Sequence, residues 1–387
     1  MVTALLLGAG ASRELGMPLR SDVNAELSAW LNPDSLRRLN ATWRARGFGH
    51  PDPVIEDVVS RLLPEAFDYE ELLHHLESQY LEDARAGHAR AYHELYAWLA
   101  QLAYQTIYRH QVERRSLVRE GLQYFEGLAR LARVNRPLWV FSLNHDLLVE
   151  CVAALFGIEV SCGFSERQVT LPCRNESGTT VARVRASLLT DAEMANGCLG
   201  FLKTGWPGIN LLRLHGALDI FTWGEGRDLI LLRPRELTFD AIIDVLQIAN
   251  EGLLAPGLAA AVFPDSWALT NKIPYLDEQG RPRTLGRTLL ASAARLTDPF
   301  PGLMQRRWLE YCRAGLTQVE RLVALGCGMG DGGVNEIVSE WLAKSSRRRL
   351  EIVAPGALRL PPFLDRLADQ VVLVPASTTT YLEQLSL

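Results

Sequence analysis

The hydrophobic pattern changes character several times along the chain. Val2 to Leu7 is an apolar run, as expected of a parallel strand buried on both faces. Gly8-Ala9-Gly10-Ala11-Ser12 ends it, and Leu19, Val23, Leu27, Trp30 and Leu31 then recur at helical spacing. From about 20 to 135 the spacing predicts helix almost throughout. Tyr69, Leu72, Leu73, Leu76 and Tyr80 form one stripe, and Tyr92, Leu95, Tyr96, Leu99 and Ala103 form another. Phe125, Leu128 and Ala132 continue the pattern after Gly121. The stripes read as a helical layer with its own packing, the alternative being a cofactor box built from the tyrosines.

Strand signals return at Leu138 to Phe141, Leu211 to Leu214, Val319 to Leu325, Leu350 to Val353 and Val371 to Val374. Each run is short, apolar and bounded by glycine, proline or polar residues. The alternation predicts an α/β fold, a Rossmann-like doubly wound parallel sheet with large helical insertions. Ile220 to Trp223 and Leu229 to Leu232, around Gly224-Glu225-Gly226-Arg227, read as a hairpin appended to that sheet. The expected organisation is a discontinuous core of residues 1–20, 136–235 and 318–387, a helical insertion at 21–135, and a second insertion of helices and loops at 236–317, where prolines stand at 256, 264, 274, 282, 299 and 301. No internal repeat is visible.

Composition narrows the function classes. At about 150 residues per domain, 387 residues make one large or two modest domains. A chain that is 48% hydrophobic and 22% charged is neither disordered nor of low complexity. The net charge, 40 − 45 = −5, argues against a strongly basic nucleic-acid protein, so no direct nucleic-acid binding is expected. Only Lys203, Lys272 and Lys344 among the basic residues are lysines, a skew that reads as genome composition. The cysteines at 151, 162, 173, 198, 312 and 327 form no CxxC pair, which gives no support to a zinc ribbon or redox dithiol and fits a reducing cytosol. No apolar stretch reaches the roughly 18 residues of a membrane helix. Val2 to Ala11 mimics the apolar part of a signal peptide, but the first positive side chain, Arg13, follows it. A buried first strand and a cytoplasmic protein are the expectation.

In an open parallel sheet, ligands bind beyond the carboxyl ends of the strands, where strand order reverses. Polar and glycine residues are concentrated after the predicted strands. Gly8 and Gly10 suit a phosphate cradle, because a missing Cβ admits backbone N–H groups to a pyrophosphate and a following helix N-terminus adds partial positive charge. Ser12 would add a hydroxyl or cap that helix. G-x-G-x-x-G is not met, since Arg13 stands at the third glycine, and a plain tight turn is the alternative. Asn144 and Asp146 either cap the helix of Leu147 to Leu155 or line the cleft as a polar pair. His215 is either a satisfied core side chain or a general base, with Gly216 opening space beside its ring. Asp331 and Asn335 follow glycines at 326, 328, 330, 332 and 333, a loop that lets backbone approach a ribose or base. A flexible turn before the helix of Ile337, Val338 and Trp341 is the alternative. His74, His75, His88 and His93 lack helical metal-ligand spacing, and no metal is expected.

These pieces, in this order, resemble the sirtuin superfamily, and more closely its bacterial sirtuin-like NAD+ hydrolase branch. The residues that carry the resemblance are Gly8-Ala9-Gly10-Ala11-Ser12 with Gly16-Met17-Pro18, Asn144-His145-Asp146, Leu214-His215-Gly216 with Asp219 and Trp223, and Gly326-x-Gly328-x-x-Asp331 with Asn335. Phe67-Asp68-Tyr69-Glu70-Glu71-Leu72-Leu73 also resembles an acidic helix of that branch. The four-cysteine zinc module of the family's protein deacylases has no counterpart, and Ser142-Leu143 and Cys327-Gly328 depart from the family's usual residues.

The resemblance implies that the NAD+ pyrophosphate lies on Gly8, Ala9, Gly10, Ala11 and Ser12. Pro18 belongs to the segment over the nicotinamide side, and Asp146 shares the cofactor cleft. Asn144 orients the attacking water and the nicotinamide ribose, and His215 is the base. Gly326, Met329 and Asp331 line the adenosine half. The implied activity is hydrolysis of NAD+ to nicotinamide and ADP-ribose in antiphage defence, with NAD+ as substrate. Control by homo-oligomerisation or by a HerA-type ATPase or an Argonaute-like sensor is the implied regulation. An NAD-dependent deacylase or ADP-ribosyl transferase, and a non-catalytic sensor of NAD+ or ADP-ribose, are the alternatives.

Overall fold

The computed structural model describes residues 2–62, 67–82, 87–175, 177, 179–223, 227–253, 272–288 and 301–385. The strands are β1 (Thr3–Leu7), β2 (Leu138–Ser142), β3 (Val160–Ser161), β4 (Gln168–Arg174), β5 (Thr180–Leu189), β6 (Ile209–Arg213), β7 (Ile220–Trp223), β8 (Asp228–Arg233), β9 (Lys272–Leu276), β10 (Pro282–Arg287), β11 (Arg321–Leu325), β12 (Arg349–Ala354) and β13 (Val371–Pro375). They form two sheets.

The first sheet has seven parallel strands in the order β13-β12-β11-β1-β2-β6-β3. All five residues of β1 are buried, Thr3 among them, as a strand covered on both faces requires. The chain leaves β1 toward β2 on one side and returns at β11 on the other, so strand order reverses beside β1 in a Rossmann-like α/β arrangement. Leu7 pairs with both Ser142 and Leu325, and Ser142 with Arg213. Four strand ends therefore finish level, and their loops share one rim.

The helices between β1 and β2 follow the apolar stripes. Tyr69–Glu82 and Ala89–Glu113 carry the two tyrosine-containing stripes, and Glu126–Val134 carries Leu128 and Ala132. Asn32 and Ser35 cap the helix Pro33–Ala45 reciprocally, which fixes where that turn begins. Leu72, Leu95 and Leu128 belong to the same apolar cluster as Leu5 and Val323. The helical layer thus shares its core with the parallel sheet instead of packing by itself.

The second sheet departs from the sequence expectation. Six strands run in the order β4-β5-β8-β7-β10-β9, joined by antiparallel ladders. Ile220–Trp223 and Asp228–Arg233 do pair as a hairpin, but inside this sheet rather than on the edge of the parallel one. β4 and β5 have no counterpart among the strands expected from sequence, because the edge strand β4 and the first half of β5 mix exposed polar with buried residues and give no continuous apolar run. The stretch 236–317 supplies β9 and β10 as well as the helices Phe239–Gln247 and Pro301–Gly315. The turn Gly224 to Gly226, the stretches 254–271 and 289–300, and with them Pro256, Pro264 and Pro299, lie outside the described residues. Among the described residues, no helix is long and apolar enough to cross a membrane.

Candidate functional site

A cavity of about 280 Å³ opens at the rim where strand order reverses. Of the residues nominated by sequence, Gly8, Ala9, Pro18, Asn144, Asp146, His215, Met329 and Asp331 line it. Gly10, Ala11, Ser12 and Gly326 do not. The two glycine loops differ in the reason for their glycines. A Cβ on Gly8 would lie 2.6 Å from both the Cys327 Cα and the Gly326 oxygen, and one on Gly10 would lie 2.8 Å from the Gly326 Cα. These two glycines let the loops after β1 and β11 touch. The amides are engaged too: Gly8 N–H donates to Leu325 O, Gly10 to Gly326 O, Ala11 to Gly8 O and Ser12 to Ala9 O, at 2.9–3.2 Å. The expected backbone cradle on this loop is therefore largely closed. By contrast, a Cβ on Gly328 or Gly330 would meet nothing within 4 Å, and both residues line the cavity. Open space beside backbone lies on the second loop.

The helix expected directly after Ser12 is also displaced. Two short 3-10 turns, Ala9–Ala11 and Arg13–Leu15, intervene, and the α-helix begins at Arg20. Ser12 makes no side-chain cap. Its buried hydroxyl instead accepts from Asn144 Nδ2 at 3.1 Å, and the same Nδ2 donates to Gly8 O at 2.9 Å. Asn144 is thereby fixed with its amide nitrogen inward. Its Oδ1 is buried without a hydrogen-bond partner among the described residues. Asp146 stands one residue before the N-cap Leu147, and its Oδ1 accepts from the first helical amide, Leu148 N–H, at 3.0 Å. Burial raises its carboxyl pKa against the opposing pull of Arg213.

His215 is held across the rim by Asp331, with Nε2 and Oδ2 2.8 Å apart. Asp331 also caps the helix Gly332–Ala343 through Val334 N–H at 2.8 Å. Burial works against its charge, but the bond to His215 and the backbone amides win, so its carboxyl pKa is lowered. An ionised carboxylate only accepts, which places the proton on His215 Nε2 and leaves Nδ1 as the basic nitrogen. Asp331, expected on the adenosine side, thus orients the imidazole. Gly216 does not open space beside that ring. Its φ is +77° and a Cβ there would lie 1.7 Å from Thr288 O, so the turn itself demands glycine. Asn335 Nδ2 donates to Met329 O at 2.8 Å and secures the loop where Met329 has φ 49°.

Sequence reasoning gave no role to several lining residues. His145 stands with its ring 6.4 Å from that of His215. Burial, helped by His215 and Arg213, lowers its pKa to about 3, so it is neutral. Beneath it, buried Arg213 donates to Glu150 Oε2, to Ser142 Oγ at 3.2 Å and to Asn144 O at 3.1 Å. Arg20, Tyr69 and Glu70 form the opposite wall, with Arg20 paired to Asp68 at 2.6 Å and Glu70 at 2.8 Å. The acidic segment around Tyr69 and Glu70 was the one sequence signal that pointed to this wall. Compared with known protein families and with curated proteins, the chain matches none.

Proposed function

We propose that the chain is an NAD+ glycohydrolase that releases nicotinamide and ADP-ribose. The observation that carries this reading is the meeting on one cavity, at the reversal of strand order, of Asn144, whose buried Oδ1 has no hydrogen-bond partner among the described residues, and the Asp331-held imidazole of His215. The resemblance to the sirtuin-like NAD+ hydrolases supplies the substrate. Water adds to the ribose carbon as the glycosidic bond breaks, and the bonding pair leaves with a nicotinamide that becomes neutral, so no acid is needed at the leaving group. Asn144 Oδ1 would accept one proton of the water in a hydrogen bond. His215 Nδ1 would take the proton it loses.

The fit favours the nicotinamide ribose end. The cavity is near the lower limit of about 300 Å³ for small-molecule pockets. The open backbone of Gly328 and Gly330 suits the phosphates better than the packed Gly8 to Ser12 turn does. On this reading the Rossmann-like core is doubly wound and discontinuous, with 21–135 as an insertion and 236–317 adding β9 and β10 to the antiparallel sheet begun by β4, β5, β7 and β8. The protein would serve antiphage defence by depleting NAD+, restrained by homo-oligomerisation or a HerA-type partner. The test is nicotinamide release from NAD+ by the full chain, alone and with the product of a neighbouring gene. Full activity in both Asn144→Ala and His215→Ala would remove the assignment.

A further inference from the structure

A second cavity, of about 130 Å³, begins where the first leaves the chain: Leu147 and Glu150 line it, directly after Asn144, His145 and Asp146. Ile158, Leu231, Ile242 and Val245 give it apolar sides. Two carboxylates enter that lining. Asp219 is only 7% exposed, and its Oδ1 accepts no hydrogen bond among the described residues. Glu150 receives Arg213 on Oε2, but its buried Oε1 is likewise without a partner. Buried acceptors of this kind are costly to leave unsatisfied. An apolar cavity of about 150 Å³ takes a benzene-sized molecule, so this one suits a single small ring or a short aliphatic body.

The charges around the cavity decide the ligand. Arg213 answers Glu150, and Arg233, also in the lining, donates its Nε to Ser187 Oγ at 2.7 Å. Glu159 adds a third carboxylate at the rim. Glu159 is exposed, so water screens its charge, whereas burial and the neighbouring Glu150 push the Asp219 pKa up, and a cation there would take the place of a proton beside two carboxyl groups whose unpartnered oxygens accept when ionised. We propose that this cavity binds a small organic cation, a protonated amine or amidine on a compact apolar body, with its N–H groups on Asp219 and Glu150. The site touches the machinery of the first cavity. Arg213 also donates to Asn144 O, and Leu218 N–H, beside Asp219, donates to His145 O at 2.9 Å. A cation that draws on Glu150 or Asp219 acts on the backbone that carries Asn144 and His145, which makes it an effector of that site.

Calorimetric titration of the full chain near neutral pH tests the proposal with three probes of one shape: benzylamine, benzyl alcohol and phenylacetate. Benzylamine is expected to saturate one site per chain, at least about tenfold more tightly than benzyl alcohol, with phenylacetate not binding. Asp219→Asn removes the charge and replaces one acceptor oxygen by a donor NH2, and is expected to weaken benzylamine by about tenfold or more. Val245→Phe fills the cavity and is expected to remove binding, with circular dichroism showing that both variants are folded. Equal binding of the three probes, no saturable binding, or benzylamine binding that survives either substitution overturns it.

Discussion

The loops after β1 and β11 face each other across the reversal of strand order, and both are rich in glycine, but they use it for opposite ends. In the first, Gly8 and Gly10 are consumed by contact: their missing Cβ atoms admit the backbone of Gly326 and Cys327. In the second, Gly328 and Gly330 face open space above the cavity. Glycine in a strand-end loop is therefore not in itself a phosphate signal. The same composition builds a seam between neighbouring loops on one side and a bare backbone surface on the other. The polar groups follow the division, since the packed loop holds Asn144 through Gly8 O and Ser12 Oγ, while the open loop ends in Asp331 and holds His215.

The largest effect expected from breaking this arrangement is at Asp331. Asp331→Asn keeps an acceptor for the helix cap but removes the charge that fixes the His215 tautomer. Nicotinamide release is expected to fall by about 10²-fold or more, with an altered pH–rate profile that the accompanying drop in unfolding midpoint would not by itself produce. The next contrast is between the loops themselves. Gly10→Val is expected to destabilise the fold by about 1–3 kcal/mol through overpacking, whereas Gly330→Val stays within about 0.5 kcal/mol and instead weakens NAD+ binding. Urea unfolding and ligand titration on both variants check the contrast, and equal destabilisation would erase it.

A smaller effect concerns pH. The pKa of His145 is about 3 in the folded chain, below its ordinary value, so the unfolded chain binds its proton more readily. The stability it contributes is complete above about pH 6.5 and is lost as pH falls toward 3. Burial raises Asp146 and Asp219, which act with the opposite sign. Removing the imidazole in His145→Gln is expected to flatten the acid side of the stability–pH curve in that window. Unchanged curvature would mean that His145 titrates freely.

Much of the parallel sheet was legible because strands buried on both faces are largely apolar, as Ala4 to Leu7, Leu138 to Phe141 and Leu322 to Leu325 are. The antiparallel sheet was poorly legible for the converse reason. β5 alternates buried Val184 and Ala186 with exposed Arg183 and Arg185, and of its two partners β4 is its neighbour in sequence while β8 comes only after β6 and β7. In the site, the strand-end rule found Asn144 and His215 because each directly follows a buried run. The Asp331–His215 bond spans 116 residues, so no local spacing announces it. Arg213 was hidden as the last residue of an apolar strand, and His145 between two more conspicuous neighbours.

The most direct measurement is a crystal of the full chain soaked with NAD+. The account predicts the nicotinamide ribose within hydrogen-bond reach of Asn144 Oδ1 and His215 Nδ1, with phosphates along Gly328 to Gly330. A dinucleotide bound elsewhere on the molecule, or none at a saturating concentration, would contradict it.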